Sequence, residues 1–365
     1  MENVMKLDRN KVVIGMSGGV DSTASAYLLK ERGYEVIGVT MKLFVEEDDY
    51  GNKIEADFIN DARIICEKLE IEHYVLDLTK DFNKLIIESF IKEYSRARTP
   101  NPCVLCNKNI KYGKLMEFAF SKGAYYLATG HYANIYYDRE NNVYRIKSGK
   151  SNEKDQGYLL NQLSQDQLKH LILPLGKYTS KAEVRKVALN ISNNIARKKD
   201  SVGICFIKNS DYRKYIKNKI KIDTLIGNFV DTEGNILGKH SGIYNFTIGQ
   251  KRNLGLLTDR EYYVVDINSE NNNVVLGDDI DTYSKSIVVS DVNFTDEKYF
   301  LIEKYIDVKV CQWGYKLKSK IRRIEDKKYL ITFIKPERAI SKGQYAVFYL
   351  DDEILGGGYI ENVIK

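Results

Sequence analysis

Lys11-Val-Val-Ile-Gly-Met16 runs directly into Ser17-Gly-Gly-Val-Asp-Ser22, and this junction decides how the first half of the chain folds. The aliphatic run reads as a buried strand, and Ala24, Tyr27 and Leu28 carry helical spacing over residues 21–32. The turn between them therefore opens a helix. A helix start offers unpaired backbone N–H groups and the positive end of the macrodipole to an anion. Gly18 and Gly19 let the backbone approach phosphate oxygens, while Ser17 and Ser22 add hydroxyl donors. A Walker loop would need a Gly-Lys-Ser/Thr ending and a longer spacing, and a dinucleotide fingerprint would need Gly-x-Gly-x-x-Gly; neither is present. Asp21 is open to two readings, as the helix N-cap or as a ligand to Mg²⁺.

Outward from this turn, strand and helix alternate. Glu35–Met41 and Glu72–Leu78 read as strands, and Tyr125–Thr129 as another that ends in Gly130-His131. Phe58, Ala62, Ile65, Cys66 and Leu69 mark one amphipathic helix, and Phe82, Leu85, Ile86 and Phe90 a second. This order predicts an α/β domain with a doubly wound parallel sheet, binding its ligand at the carboxyl ends of the strands. Beyond about residue 210 short alternating segments separated by Gly, Asn and Asp take over, among them Tyr262–Ile267, Ile287–Val292 and Tyr345–Leu350. We therefore expect a catalytic domain over residues 1–210, a small, mainly β central domain over 211–280 and a C-terminal β-barrel over 281–365.

A chain of 365 residues exceeds what one hydrophobic core usually organises. Its net charge of +6 comes from 56 basic and 50 acidic residues interspersed along the chain, which is compatible with RNA but does not decide the partner. The N-terminal residues do not resemble a leader peptide, and no apolar run approaches the roughly 20 residues that span a bilayer. Five scattered cysteines do not form an extracellular disulfide framework, so a reducing, cytoplasmic setting away from membranes is expected.

Two cysteine segments stand out. In Thr99-Pro-Asn-Pro-Cys-Val-Leu-Cys-Asn-Lys-Asn-Ile-Lys111 a Pro-stiffened turn passes into a helix, which predicts Cys106 just before the helix start, Asn107 as a possible cap, and Lys108 and Lys111 close by. Both the helix end and the lysines favour a thiolate. Half a zinc site or a redox pair with Cys103 would explain the same spacing, but no second Cys pair follows. Cys205 lies in Asp200-Ser-Val-Gly-Ile-Cys-Phe-Ile207, where its neighbours look buried and an inert core cysteine is the plain alternative.

The loop string resembles the signature of the ATP pyrophosphatases, which cleave ATP between the α and β phosphates to make adenylates. Further motifs follow in order: Asn101–Lys111, Ala128-Thr-Gly-His-Tyr-Ala133, Lys154-Asp-Gln156, Leu173-Pro-Leu-Gly176, Asp200–Ile207, Phe246-Thr-Ile-Gly-Gln-Lys-Arg252 and Gly356-Gly-Gly358. Together they resemble the tRNA-specific 2-thiouridylases. The resemblance implies ATP and Mg²⁺ as cofactors, tRNA as substrate and a sulfur-carrier protein as partner. By position it implies nucleotide contacts at Gly15, Met16, Ser17, Gly18, Gly19, Val20, Asp21, Ser22, Met41 and Gly130. Cys205 would carry a persulfide, and Cys106 would be its nucleophilic partner in a transient disulfide. Asn101, Pro102 and Cys103 would face the base, with His131, Lys154, Asp155, Gln156 and Gln344 joining the tRNA contacts.

The chain departs from that family pattern in places. Cys103 stands where many relatives carry an Asp, Asp155-Gln-Gly-Tyr-Leu-Leu160 replaces a Ser-Tyr-Phe version, and Cys311-Gln312 stands at an expected Arg-Tyr pair. Further RNA candidates are Lys316, Lys318, Lys320 and Arg322, which share one face if 316–323 is a strand, and the basic, aromatic stretch Tyr212-Arg-Lys-Tyr215 with Lys217, Lys219 and Lys221. Rival readings are another loop-sharing synthetase, which would not need two separated cysteines, and a non-catalytic tRNA-binding protein, which would release no AMP.

Overall fold

The computed structural model describes residues 6–47, 53–54, 56–200, 203–207, 211–219, 226–296 and 305–365. The chain divides into two compact units: Met1–Ile86 with Cys103–Val202 and Asp352–Leu355, and Ile87–Pro102 with Gly203–Asp351 and Gly356–Lys365.

In the first unit β1 (Asp8–Gly15), β2 (Glu35–Lys42), β3 (Glu72–Asp77), β4 (Ala124–Ala128) and β5 (Leu171–Ile172) form a parallel sheet in the order β3-β2-β1-β4-β5. Val12, Val13 and Ile14 of the central strand are wholly buried. Val12 and Ile14 share one face, as period-two alternation requires. They pack there with Ala26 and Leu29 of α1 (Val20–Glu31) and with Ile65 and Cys66 of α2 (Asp57–Lys68). Burial pushes the Cys66 thiol up to about 12, so this cysteine is a core residue. Because β2 and β4 flank β1 on opposite sides, the connections diverge at its carboxyl end and open a crevice there. The expected second helix is a continuous helical run, Thr79–Phe82, Asn83–Ile87 and Glu88–Ser95, widened to π geometry in the middle.

A hairpin of Ala133–Asp138 and Val143–Ser148 also belongs to the first unit, where Glu353 and Ile354 pair with its second strand. Arg145 is 1% exposed there, an expensive place for a charge. Its Nε donates to Asp138 Oδ2 at 2.7 Å and its Nη1 to Glu353 Oε1 at 2.7 Å.

In the second unit, Gly227–Val230, Ile236–His240, Tyr263–Asn268 and Asn273–Gly277 form a small sheet around Phe229, Phe246, Val264, Val274 and Leu276. The strands Tyr283–Phe294, Lys328–Arg338, Leu317–Glu325, Tyr305–Lys309 and Tyr345–Leu350 follow one another laterally, and the last strand, Glu353–Ile364, pairs back on the first to close a barrel. At that seam a Cβ on Gly356 would lie 2.1 Å from the Asn293 carbonyl oxygen, so the Gly356-Gly-Gly358 run is what lets the barrel close. The architecture is thus an α/β domain, a central β domain and a β-barrel, as expected. Among the described residues no helix is long and apolar enough to cross a membrane.

Replacing Arg145 with Met leaves two carboxylates without their shared cation. The carboxylates are partly solvated and keep the bonds from Asn141 and Tyr136, so the loss falls short of that for a fully buried pair. The Arg145→Met protein should begin to unfold at clearly lower urea than the parent, followed by far-ultraviolet circular dichroism.

Candidate active site

The loop is built around Gly18. Its φ of +64° favours glycine, and a Cβ there would lie 2.6 Å from the Phe58 carbonyl oxygen and 2.8 Å from Asp61 Cβ. The turn therefore locks against α2. Met16 N donates to Val39 O at 2.8 Å, which fixes the preceding residue to β2. Ser17 N donates to Ser22 Oγ at 3.2 Å, and Ser22 Oγ and Thr23 Oγ1 donate to Gly19 O at 3.1 and 2.9 Å. The hydroxyls thereby hold the first turn of α1, whose leading N–H groups have no acceptor within the helix. Val20 is 4% exposed and anchors that turn in the core.

Asp21 is not the N-cap. Gly19 occupies that position with extended backbone and no side-chain cap, and the Asp21 carboxylate instead accepts from Tyr132 Oη at 2.7 Å and Lys181 Nζ at 2.6 Å. Burial, then the neighbouring Asp21, pushes the Tyr132 phenol up, so it stays a donor. Gly130 follows β4, where a Cβ would lie 2.9 Å from Asp21 Cβ and 3.0 Å from its carbonyl carbon. Only glycine allows that approach. Gly15 pairs with Val39, so Met41 lies two residues further along β2, half-buried.

Asp200 stands behind the same turn and accepts from Lys154 Nζ at 2.9 Å, Arg185 Nη2 at 2.8 Å and Lys181 Nζ at 3.1 Å. Burial alone would raise its carboxyl, but the bonds from Lys154 and Lys181 outweigh that and hold it below the ordinary value of 3.8. Asp155 Oδ1 accepts from the amides of Gly149 and Gly157 at 2.8 and 3.1 Å. Gln156 exchanges two hydrogen bonds with the Tyr132 backbone, at 3.1 and 2.9 Å. The Lys154-Asp-Gln156 motif thus braces the loop from within. Lys198 Nζ adds a bond to Gly18 O at 3.3 Å and an ion pair with Asp61.

Known proteins match this chain along nearly its whole length. The family described as tRNA methyl transferase HUP domain matches residues 10–209, that described as tRNA methyl transferase PRC-barrel domain 213–278, and that described as aminomethyltransferase beta-barrel domain 284–360. The tRNA-specific 2-thiouridylase MnmA 1 of Caldanaerobacter subterraneus subsp. tengcongensis is 46% identical over 98% of this chain and 99% of its own. The tRNA-specific 2-thiouridylase MnmA of Clostridium botulinum strain Eklund 17B is 43% identical over 99% of this chain and 100% of its own. The chain belongs to the tRNA-specific 2-thiouridylase family.

In this 2-thiouridylase chain the helix of the first cysteine segment begins earlier than expected. Pro102–Cys106 is already helical, Asn107–Lys114 continues it with π geometry and Leu115–Ser121 completes it. Pro102 starts the helix because its missing N–H costs nothing there. Cys106 consequently sits more than a turn inside and is 8% exposed, not just ahead of the helix start. Asn107 does not cap either; it is buried, and its Nδ2 donates to Leu159 O at 3.1 Å. Cys103 is nearer the helix start, but burial pushes its thiol up, with Lys111 pulling it back. Asn101, just before the helix, is half-buried.

His131 is 5% exposed, so its ring lies beneath the surface. Its Nδ1 lies 2.7 Å from Thr129 Oγ1 and 2.9 Å from Tyr112 Oη, and burial, then Lys111, holds its pKa well below 6.5.

In the second unit, Cys205 is exposed, so the core-cysteine alternative fails; its neighbours Phe206 and Ile207 are the buried ones. Phe206 packs edge-on against Phe90 with centroids 5.3 Å apart. Ser201 and Val202 of this motif lie outside the described residues. Gln344 Nε2 donates to Thr99 O at 2.7 Å, two residues before Asn101. On the barrel strand Leu317–Glu325, Lys318, Lys320 and Arg322 are exposed on one face while Ser319 is buried, whereas Lys316 precedes the strand and its Nζ bonds the Asp351 carbonyl. In the helix Tyr212–Lys219 the aromatics turn to the protein. Tyr212 stacks on Tyr94 at 5.0 Å and Tyr215 meets Phe206 at 5.4 Å, which leaves Lys214, Lys217 and Lys219 exposed; Lys221 lies outside the described residues.

Sequence reading missed Lys181, Arg185 and Lys198, since nothing local marks a lysine or arginine 160 residues away as part of a loop. Tyr132 lay inside a recognised motif without being assigned. Asp200→Asn should destabilise the protein at neutral pH by about 1–2 kcal/mol, less than a fully buried pair because the carboxylate is partly solvated. A depressed carboxyl stabilises above its ordinary value of 3.8 and loses that contribution as pH falls through the lower folded value. In urea unfolding the gap between parent and variant should be widest above pH 4 and shrink below it.

Proposed function

We propose that the protein thiolates C2 of the wobble uridine of tRNA, using ATP and a cysteine persulfide. The observation that carries this reading is the end-to-end relation to proteins named tRNA-specific 2-thiouridylase, 46% identity over 98% of the chain, on a fold with a phosphate-type turn and an exposed Cys205. The loop from Gly15 to Ser22 holds the pyrophosphate of ATP, and Met41 and Gly130 flank the adenosine. Mg²⁺ arriving with the nucleotide would shield the phosphate charge; among the described residues no group of three or more His, Cys, Asp or Glu could hold it, and the Asp21 carboxylate is paired with Lys181. The division at residues 210 and 280 belongs to this reading and is supported by the matched spans 10–209, 213–278 and 284–360.

The uridine carbonyl is a poor electrophile, because expelling its oxygen would release a full oxyanion. Attack of O2 on the α-phosphorus of ATP expels pyrophosphate and converts that oxygen into the leaving group AMP. Sulfur arrives as a persulfide on Cys205, loaded by a sulfur-carrier protein. Either its terminal sulfur attacks C2 and Cys106 then cleaves the S–S bond, or Cys106 attacks first and the released hydrosulfide attacks C2. Both routes expel AMP, leave sulfur on the base and end in a Cys106–Cys205 disulfide, which a cytoplasmic reductant must reopen. Asn101, Pro102 and Cys103 line the approach of the flipped base, and Lys154, Asp155, Gln156, His131 and Gln344 shape the RNA-facing region, several of them by supporting neighbours.

With ATP, Mg²⁺, a persulfide donor and unmodified tRNA, the parent protein should form 2-thiouridine, read by nucleoside mass spectrometry. Cys106→Ser and Cys205→Ser should each lose it by at least a hundredfold. Thiolation by either variant at the parental rate would overturn the cysteine assignment. AMP release without sulfur incorporation by the parent would leave only an adenylating enzyme.

A further inference from the structure

The loop 17–22 contains no lysine, yet the fold brings two to it: Lys198, which bonds the Gly18 carbonyl and pairs with Asp61, and Lys181, which pairs with Asp21 in the first turn of α1. Lys181 is the first residue of α3 (Lys181–Leu189), whose N-cap Ser180 accepts from the Glu183 amide at 3.4 Å. Val184 and Ala188 of α3 share a core cluster with Val20 and Ala24 of α1, together with Tyr132 and Leu175. This apolar seam sets the two helices side by side with their starts together. Side chains tilt toward the start of their helix, so a residue at that end projects past it. Lys181 reaches both Asp21 Oδ2, at 2.6 Å, and Asp200 Oδ1, at 3.1 Å, and its side chain is only 15% exposed.

Charge separates its role from that of its neighbours. Asp200 already has Arg185 and Lys154, so it does not depend on Lys181. Asp21 accepts from that lysine and from a neutral phenol. Asp21, Asp200, Lys154, Lys181 and Arg185 together carry +1 (three cations against two carboxylates). Without Lys181 the group is neutral, and a carboxylate in the first turn of α1 would repel an incoming phosphate.

We infer that Lys181 is the phosphate-binding cation of the nucleotide site, supplying from α3 the charge that a Walker loop carries within its own sequence. This rests on the ATP reading of the loop. The ammonium has three donors, enough to keep a carboxylate contact while meeting an anion. A point charge on a flexible stem suits that double duty.

The test is calorimetric titration of the full chain with inorganic pyrophosphate, with α,β-methylene ATP and with adenosine, each with Mg²⁺. Lys181→Met and Lys181→Gln should weaken pyrophosphate and the ATP analogue at least tenfold, and adenosine less than twofold. Lys181→Arg should recover more than half of that loss on a logarithmic scale. Lys186→Met, an exposed lysine on the same helix, should stay within twofold of the parent. If both neutral variants bind pyrophosphate within twofold of the parent, or lose adenosine equally, the inference falls while the nucleotide reading stands. A parent that binds neither pyrophosphate nor the ATP analogue would overturn both.

Discussion

Gly18 is the constraint on which the turn between β1 and α1, and everything packed around it, depends. Its left-handed backbone turns the chain from β1 into α1 in a space where a Cβ would strike the backbone of α2. The same compactness recurs on the other side of the turn, where Gly130 rests against Asp21. Two glycines thus let two strand ends and two helices meet around one helix start. A bulkier residue at either point would pull the donor groups apart before any ligand arrived.

Around that turn the polar side chains serve one another first. Asp21 faces Tyr132 and Lys181, Asp200 faces three cations, and Asp155 and Gln156 hold backbone amides in place. Such partners hold the turn in one arrangement, the condition under which fixed dipoles and charges act most strongly. Motif residues can also have protein partners of their own, and Lys154 and His131 do so in two ways. One is tied into an ion pair. The other is buried against Tyr112 and Thr129.

The two cysteine segments differ in kind. Cys106 is held inside a helix and largely covered, whereas Cys205 is exposed beside buried Phe206 and Ile207. On the proposed chemistry, exposure suits a sulfur that another protein loads, and cover suits a thiol that acts once on a bound substrate. Burial of Cys66, with its thiol pushed up to about 12, shows the third case, a cysteine kept for packing.

The sequence by itself determined the parallel sheet, the helix opening at Ser17–Ser22, the change to β structure beyond about residue 210 and the positions of the informative cysteines. Those features depend on local periodicity, on glycine's backbone freedom and on ordered motifs, all written within a few residues of one another. Only the tertiary structure decided that Asp21 binds Lys181 instead of capping its helix, that the Cys106 helix begins at Pro102, that Cys205 is exposed, and that Arg145 is buried between Asp138 and Glu353. The reason is physical. Ion pairs and burial depend on which side chains the packed helices and strands bring within a few ångströms, and residues 160 or 208 positions apart leave no trace of that closeness in the sequence between them.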